Sequence, residues 1–169
     1  MMEKIIGGME APRPIPWQVS IWNVTFPHVC GGVILDEKTI LTASHCIILN
    51  EETGKLKEYF VMAGSTRQRS GTNIIVDHVA LYNEQIRPHR AQLDDDIIIL
   101  KLRDGLTFSE NIQPICLPSV QFDPKEGTQC YVSGWGNIYG SIPSNPEYLQ
   151  WSTMKIVNTE TCNDTLSCF

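Results

Sequence analysis

Short apolar segments separated by turn-forming residues run along the whole chain and constrain its fold more than any other feature. The segments are rich in β-branched and aromatic side chains, and glycine, proline and asparagine lie between them. Pleated strands favour such side chains and tight turns need such breakers, so the pattern predicts an all-β protein. The predicted strands cover residues 17–21, 30–35, 40–42, 59–63, 73–81, 97–102, 129–133 and 149–157.

Only two stretches of the sequence predict helix. One is a single turn over residues 43–48, and the other covers residues 159–166. The second stretch follows Asn158, whose side chain is suited to cap a helix N-terminus. Residues 114–118 begin and end with proline, which predicts an extended connection between two halves of the chain.

Charge and hydropathy argue against two classes of partner. The net charge is −6 and charges of both signs are dispersed, without the basic stripe that a nucleic-acid-binding protein needs. No apolar run reaches the length required to cross a bilayer. Residues 1–4 (MMEK) lack the apolar core of a signal peptide. We therefore expect either that a signal and pro-segment are missing or that the start is artificial.

The cysteines bear on the compartment of the protein. Six of them stand at positions 30, 46, 116, 130, 162 and 168. None forms a C-x-x-C pair or has a histidine at zinc-finger spacing, so we favour a disulfide framework in a secreted protein over a metal site. Two N-glycosylation sequons, at Asn23 and Asn163, fit the same compartment.

Three short motifs carry the residues with potential chemistry, and they follow one another in a fixed order. They are IIGG at 5–8, TASHC at 42–46 and DIIILKL at 96–102. Four further segments accompany them: PWQVS at 16–20, CGG at 30–32, IQPICLP at 112–118 and CYVSGWG at 130–136. Together these motifs resemble the trypsin/chymotrypsin family of serine proteases, and the resemblance covers almost the whole chain.

The resemblance implies a trypsin-like double β-barrel. We expect residues 1–4 to be a remnant of a pro-segment and residues 5–169 to be the peptidase domain. Within that domain we expect a complete first barrel over 5–115 and a partial second barrel over 116–169. Such a hydrolase usually needs about 200–250 residues, and this chain has 169.

The resemblance also implies processing and cross-linking of the chain. It places a zymogen cleavage site between Lys4 and Ile5, and a disulfide between Cys30 and Cys46. In the family, the cysteines corresponding to 130 and 162 normally pair further downstream, and the one at 116 often pairs with a pro-segment cysteine. The partners of these three and of the cysteine at 168 stay open.

His45 and Asp96 are the candidate catalytic residues. A serine hydroxyl is a poor nucleophile near neutral pH and needs a nearby base, a role that suits the ordinary histidine pKa of about 6.5. By resemblance His45 is that base and Asp96 is the carboxylate that orients it. Asp94 and Asp95 are immediate neighbours, but only Asp96 directly precedes the apolar run, and strand alternation puts Asp95 on the opposite face.

A structural role is the alternative for these residues and for the remaining histidines. In that alternative, the acidic residues at 94–96 are solvated turn residues and His45 is an ordinary polar residue beside a disulfide. The surrounding motifs favour the catalytic assignment. His28, His78 and His89 are predicted to be structural, and Asp77 and His78 should point to opposite faces of their strand, which makes a poor dyad.

The nucleophile is the part of the machinery that residues 1–169 do not contain. No serine lies in a Gly-Asp-Ser-Gly-Gly motif, and in the family the oxyanion hole and specificity pocket come from the same downstream region. By family we therefore expect a serine-type endopeptidase that acts on polypeptides without metal or cofactor. We expect residues 1–169 to be inactive until a downstream segment completes them. The alternatives are a non-catalytic secreted protease homologue that acts as a binding module, and a product without a function of its own.

Overall fold

The computed structural model describes residues 7–25, 28–48, 56, 58–80, 96–138 and 146–166, with side chains up to residue 162. These ranges hold short antiparallel strands, one 3-10 turn and one α-helix. In chain order the elements are β1 (Met9–Glu10), β2 (Gln18–Asn23), β3 (Cys30–Asp36), β4 (Thr39–Thr42), the 3-10 turn (Ser44–Cys46), β5 (Tyr59–Ala63), β6 (Thr72–Ala80), β7 (Ile98–Leu102), β8 (Gln129–Gly134), β9 (Gln150–Lys155) and α1 (Thr159–Leu166).

Six strands form a closed barrel in the order β2-β3-β4-β7-β6-β5. All its neighbouring strands are antiparallel, and the pairing of β5 with β2 closes the ring. Alternate residues of β5 and β7 are buried, as the two-residue period of a strand requires when one face packs on a core. The barrel interior is filled chiefly by branched aliphatic side chains: Val19, Ile21, Ile34, Ile40, Ile47, Val61, Ile74, Val76, Ile98, Leu100, Leu102, Leu106 and Ile112.

A second, three-stranded sheet has the order β1-β9-β8. Its small core consists of Ala11, Trp135 and Leu149, with Ile15 and Trp151 packed against it. The strand β1 pairs with β9, although it lies in the segment that the sequence analysis grouped with the first barrel.

Hydrogen bonds join the second sheet to the barrel. The carbonyl oxygen of Thr66 accepts from the indole Nε1 of Trp135 at 3.0 Å and from the backbone N–H of Leu149 at 2.7 Å. The hydroxyl of Ser133 donates to Oε1 of Gln18 at 2.8 Å. These bonds satisfy buried polar groups where the two sheets meet, so the sheets are packed against each other through a specific interface.

The predicted all-β fold is confirmed, and most predicted strands differ from the observed ones by only one or two residues. The predicted turn at 43–48 is a 3-10 turn, Ser44–Cys46. The predicted helix at 159–166 is α1, and Oδ1 of Asn158 accepts a hydrogen bond from the backbone N–H of Thr161 at 2.7 Å. Asn158 is therefore the helix cap that the sequence indicated.

The expectation for Asp77 and His78 was wrong. Their side chains are on the same side, both exposed, with His78 Nδ1 2.9 Å from Asp77 Oδ2. The cause is a register shift between β6 and β7, where Val76 pairs with Leu102 but His78 pairs with Lys101. The extra residue at such a bulge interrupts strand alternation, and alternation was the basis of the expectation.

Candidate active site

Two neighbouring barrel strands bring His45 and Asp96 to one edge of the barrel. The strand β4 ends at Thr42 and β7 begins at Ile98, and these two residues are partners in the antiparallel pair. His45 lies in the 3-10 turn just after β4, and Asp96 lies two residues before β7. Antiparallel pairing puts the end of one strand beside the start of the other, so the two side chains meet although they are 51 residues apart in sequence.

The carboxylate of Asp96 is bound by the residues of the 3-10 turn. Its Oδ2 lies 2.6 Å from His45 Nδ1, and its Oδ1 accepts from the backbone N–H of His45 at 2.9 Å. The same Oδ1 accepts from the Ser44 hydroxyl at 2.8 Å. The His45 side chain is 45% exposed and that of Asp96 is 25% exposed, so the imidazole borders solvent while the carboxylate lies behind it.

Opposing effects set the pKa of Asp96. Burial of the carboxyl raises its pKa, but hydrogen bonds from the His45 backbone, the His45 ring and the Ser44 hydroxyl lower it, as does the positive charge of a protonated His45. The combined result is a pKa below the ordinary value, so Asp96 is ionised at neutral pH.

An ionised Asp96 determines the tautomer of His45. A carboxylate can only accept hydrogen bonds, so the proton of a neutral ring must be on Nδ1, which faces Asp96 Oδ2. The lone pair is then on Nε2. A histidine in this state can take a proton at Nε2 while the carboxylate stabilises the imidazolium that forms.

A disulfide fixes the turn that carries His45. Cys30 at the start of β3 is bonded to Cys46, with the two Cα atoms 6.0 Å apart. This is the disulfide that the family resemblance implied. A loop of this size gives an entropic stabilisation of about 3 kcal/mol, and here the closed loop includes β3, β4 and the His45 turn.

Cys30, His45 and Cys46 are also the cluster whose donor atoms come closest to a metal-ligand arrangement in the described part of the chain. Their ligand atoms all lie within 4.8 Å of one another. The two sulfurs are bonded to each other, whereas a cysteine binds a metal only as a free thiolate. In this oxidised form the cluster is a disulfide packed beside a histidine.

The other predicted site residues have varied outcomes. Cys116, Cys130 and Cys162 carry free thiols. Asn23 is 8% exposed, and its Oδ1 accepts a hydrogen bond from the backbone N–H of Thr25 at 2.8 Å. Glycosylation of Asn23 stays a prediction. The predictions for Lys4, Ile5, Asp94, Asp95, His89, the Asn163 side chain and Cys168 lie outside the described residues.

His28 lies away from the site, partly buried against Ser20 and Trp135. Its Nδ1 lies 2.7 Å from the Ser20 hydroxyl, which in turn accepts from Trp22 Nε1 at 2.6 Å. Its ring contacts that of Trp135 edge-on, with centroids 6.0 Å apart. Burial lowers the pKa of His28 to about 4, so the ring is neutral at physiological pH.

The sequence analysis missed Ser44 as part of the site. Ser44 does not lie in the sequence context of a nucleophile, so no motif marks it. Ser44 directly precedes His45 in a single turn, and this position could have indicated its role. Two consecutive residues of one turn can reach the same partner, which here is the Asp96 carboxylate.

Comparison with known proteins identifies the family. The family model described as trypsin matches residues 5–167. This chain belongs to the trypsin family of serine proteases.

A curated relative of this chain is much longer than the chain itself. Human transmembrane protease serine 5 is 32% identical over 168 residues, which cover 96% of this chain and 35% of that protein. The chain thus spans about a third of this curated relative. No helix in the described ranges is long and apolar enough to cross a membrane.

Two solved structures share the fold. One is neuropsin, a serine protease expressed in the limbic system of mouse brain, with a TM-score of 0.78 and 24% identity over 95% of this chain and 68% of that one. The other is the scabies mite inactivated protease paralogue S-D1, with a TM-score of 0.81 and 22% identity over 96% of this chain and 67% of that one.

Proposed function

We propose that this chain supplies the base half of a serine-type endopeptidase. In this proposal His45 is the general base, Asp96 orients it, and the substrate is a polypeptide cleaved through an acyl-serine intermediate. The observation that carries the proposal is the 2.6 Å contact of His45 Nδ1 with Asp96 Oδ2. It leaves the half-exposed ring with Nε2 available to take a proton from a serine hydroxyl.

The proposal assigns the rest of the machinery to sequence downstream of residue 169. The nucleophile, the oxyanion donors and the specificity pocket would come from that segment, which would also complete the second barrel begun by residues 116–169. Support comes from the absence of any Gly-x-Ser-x-Gly context in the printed sequence. We further propose that the protein is a secreted zymogen, cut between Lys4 and Ile5.

Turnover by an extended chain tests this function. The chain is extended with its native downstream sequence, cleaved after Lys4 and assayed on peptide esters. His45→Ala should abolish turnover, and Asp96→Asn should lower kcat by about 10⁴-fold because tautomer control is lost. His78→Ala is the matched control, since it removes another histidine paired with an aspartate, and it should leave kcat unchanged. Undiminished turnover by His45→Ala would contradict the proposal.

A second candidate function is a non-catalytic protease homologue that acts as a binding module. It is favoured by the same absence of a nucleophile motif from residues 1–169. The transcript sequence downstream distinguishes the two candidates. A Gly-Asp-Ser-Gly-Gly reading frame supports the peptidase, and a replaced serine in that motif supports the binding module.

A further inference from the structure

Ser44 has an environment that its sequence context does not explain. It is 0% exposed, and its hydroxyl donates to Asp96 Oδ1 at 2.8 Å. The backbone N–H of His45 donates to the same oxygen at 2.9 Å. One carboxylate oxygen is therefore held by two donors from consecutive residues.

This arrangement restricts how the Asp96 carboxylate can turn. Two donors on Oδ1 fix the plane of the carboxylate, because rotation about the Cβ–Cγ bond would break both hydrogen bonds. The fixed plane directs Oδ2 at His45 Nδ1, the contact of 2.6 Å. Hydrogen bonds to a charged group are also stronger than those between neutral groups.

We propose that Ser44 is a positioning residue, which holds the Asp96 carboxylate in the plane that orients His45. Its role in catalysis rests on the function proposed above, whereas its hold on the carboxylate does not. Ser44 itself is not the nucleophile, because its hydroxyl proton is donated to Asp96 and its side chain has no access to a substrate.

Titration of the carboxyl groups in the 169-residue chain tests the hold on Asp96. Carbon-13 NMR of aspartate-labelled protein gives the pKa of each carboxyl. In Ser44→Ala the pKa of Asp96 should shift upward, because a hydrogen bond that lowers it is removed. Asp36 is an internal reference, since a backbone hydrogen bond from Lys38 lowers its pKa at the far end of β3.

A matched variant separates positioning from general disturbance. Ser133 is a partly buried serine that likewise donates to a side-chain oxygen, in this case Oε1 of Gln18. Ser133→Ala should leave the pKa of Asp96 where it is in the wild type. The proposal is overturned if Ser44→Ala leaves the Asp96 pKa unchanged, if it moves Asp36 as much as Asp96, or if Ser133→Ala has the same effect on Asp96.

A kinetic measurement on the extended chain tests the consequence for catalysis. Ser44→Ala should lower kcat about tenfold, the effect expected for one hydrogen bond to a charged group, and leave KM unchanged. A kcat equal to that of the wild type, together with a shifted Asp96 pKa, would overturn the catalytic role of Ser44. An extended chain without turnover in any form would instead count against the proposed function.

Discussion

At the scale of single residues, two histidines of the same fold have opposite environments. His45 borders solvent and faces a carboxylate, so a positive charge on its ring is stabilised by Asp96. His28 is partly buried, and its ring nitrogen contacts a neutral hydroxyl on Ser20. The surroundings rather than the residue type therefore decide that one ring faces a carboxylate beside solvent, while the other stays neutral at physiological pH.

The environment of His28 predicts a specific loss of stability in acid. Burial lowers its pKa to about 4, whereas an unfolded histidine titrates near about 6.5. Between the folded and unfolded pKa values, the unfolded state binds more protons than the folded state. The stability that the neutral His28 ring contributes is therefore fully present above a pH of about 6.5, and it is lost as the pH falls toward about 4. The loss attributable to this ring is about 3 kcal/mol of unfolding free energy.

Urea unfolding at pH 7, 5.5 and 4 measures this loss. His28→Asn removes the titrating group, and asparagine tolerates the positive φ of 53° found at this position. Its stability should fall less between pH 7 and pH 4 than that of the wild type. Ser133→Ala is the control, since it removes a partly buried hydrogen-bonded side chain but no titrating group, and it should keep the wild-type slope. Equal slopes for wild type and His28→Asn would contradict the account.

Sequence motifs were sufficient to predict that His45 and Asp96 belong together, because their flanking residues are distinctive. They were not sufficient to predict Ser44. A serine side chain in a short turn can donate to many acceptors, and only the folded positions of β4 and β7 bring the Asp96 oxygen within reach.

At the scale of elements, the site depends on where strands begin and end. Regular strands such as β5 and β7 were predictable, because each is a short, mostly apolar run bounded by turn-forming or polar residues. The strand β1 was not, since two residues carry no period. The bulge in β6 was not predictable either, because it arises from pairing with β7 rather than from the sequence of β6.

In the connection between β5 and β6, adding one methyl group at Gly71 should have a large effect on stability. Gly71 has a φ of +115°, and a Cβ at this position would collide with the carbonyl oxygen of Ala63 at the end of β5. Gly71→Ala should therefore lower the unfolding free energy by at least about 2 kcal/mol, through backbone strain and the collision.

Thermal and urea unfolding against a second glycine variant checks this prediction. At Gly105 an added Cβ would have its nearest neighbour, Glu37 Cβ, at 3.8 Å. Gly105→Ala should change the stability by no more than about 0.5 kcal/mol. If the two variants were equally stable, the close approach of Gly71 to the Ala63 carbonyl would not be as described.

At the scale of the whole molecule, the described site comes from the barrel alone. His45 and Asp96 both belong to the edge formed by β4 and β7, and the second sheet packs beside the barrel without adding a described residue to the pair. Members of a catalytic triad act as a unit. A base and its orienting carboxylate without the nucleophile are therefore expected to give little catalysis, whatever their geometry.

Labelling with a fluorophosphonate probe tests the central claim, that His45 serves to activate a serine outside residues 1–169. The probe reacts with a serine only when a base activates it. The 169-residue chain should remain unlabelled. The chain extended with its native downstream sequence and cleaved after Lys4 should be labelled stoichiometrically, and His45→Ala should remove that labelling. Stoichiometric labelling of the 169-residue chain itself, or labelling of the extended chain that persists in His45→Ala, would contradict the account.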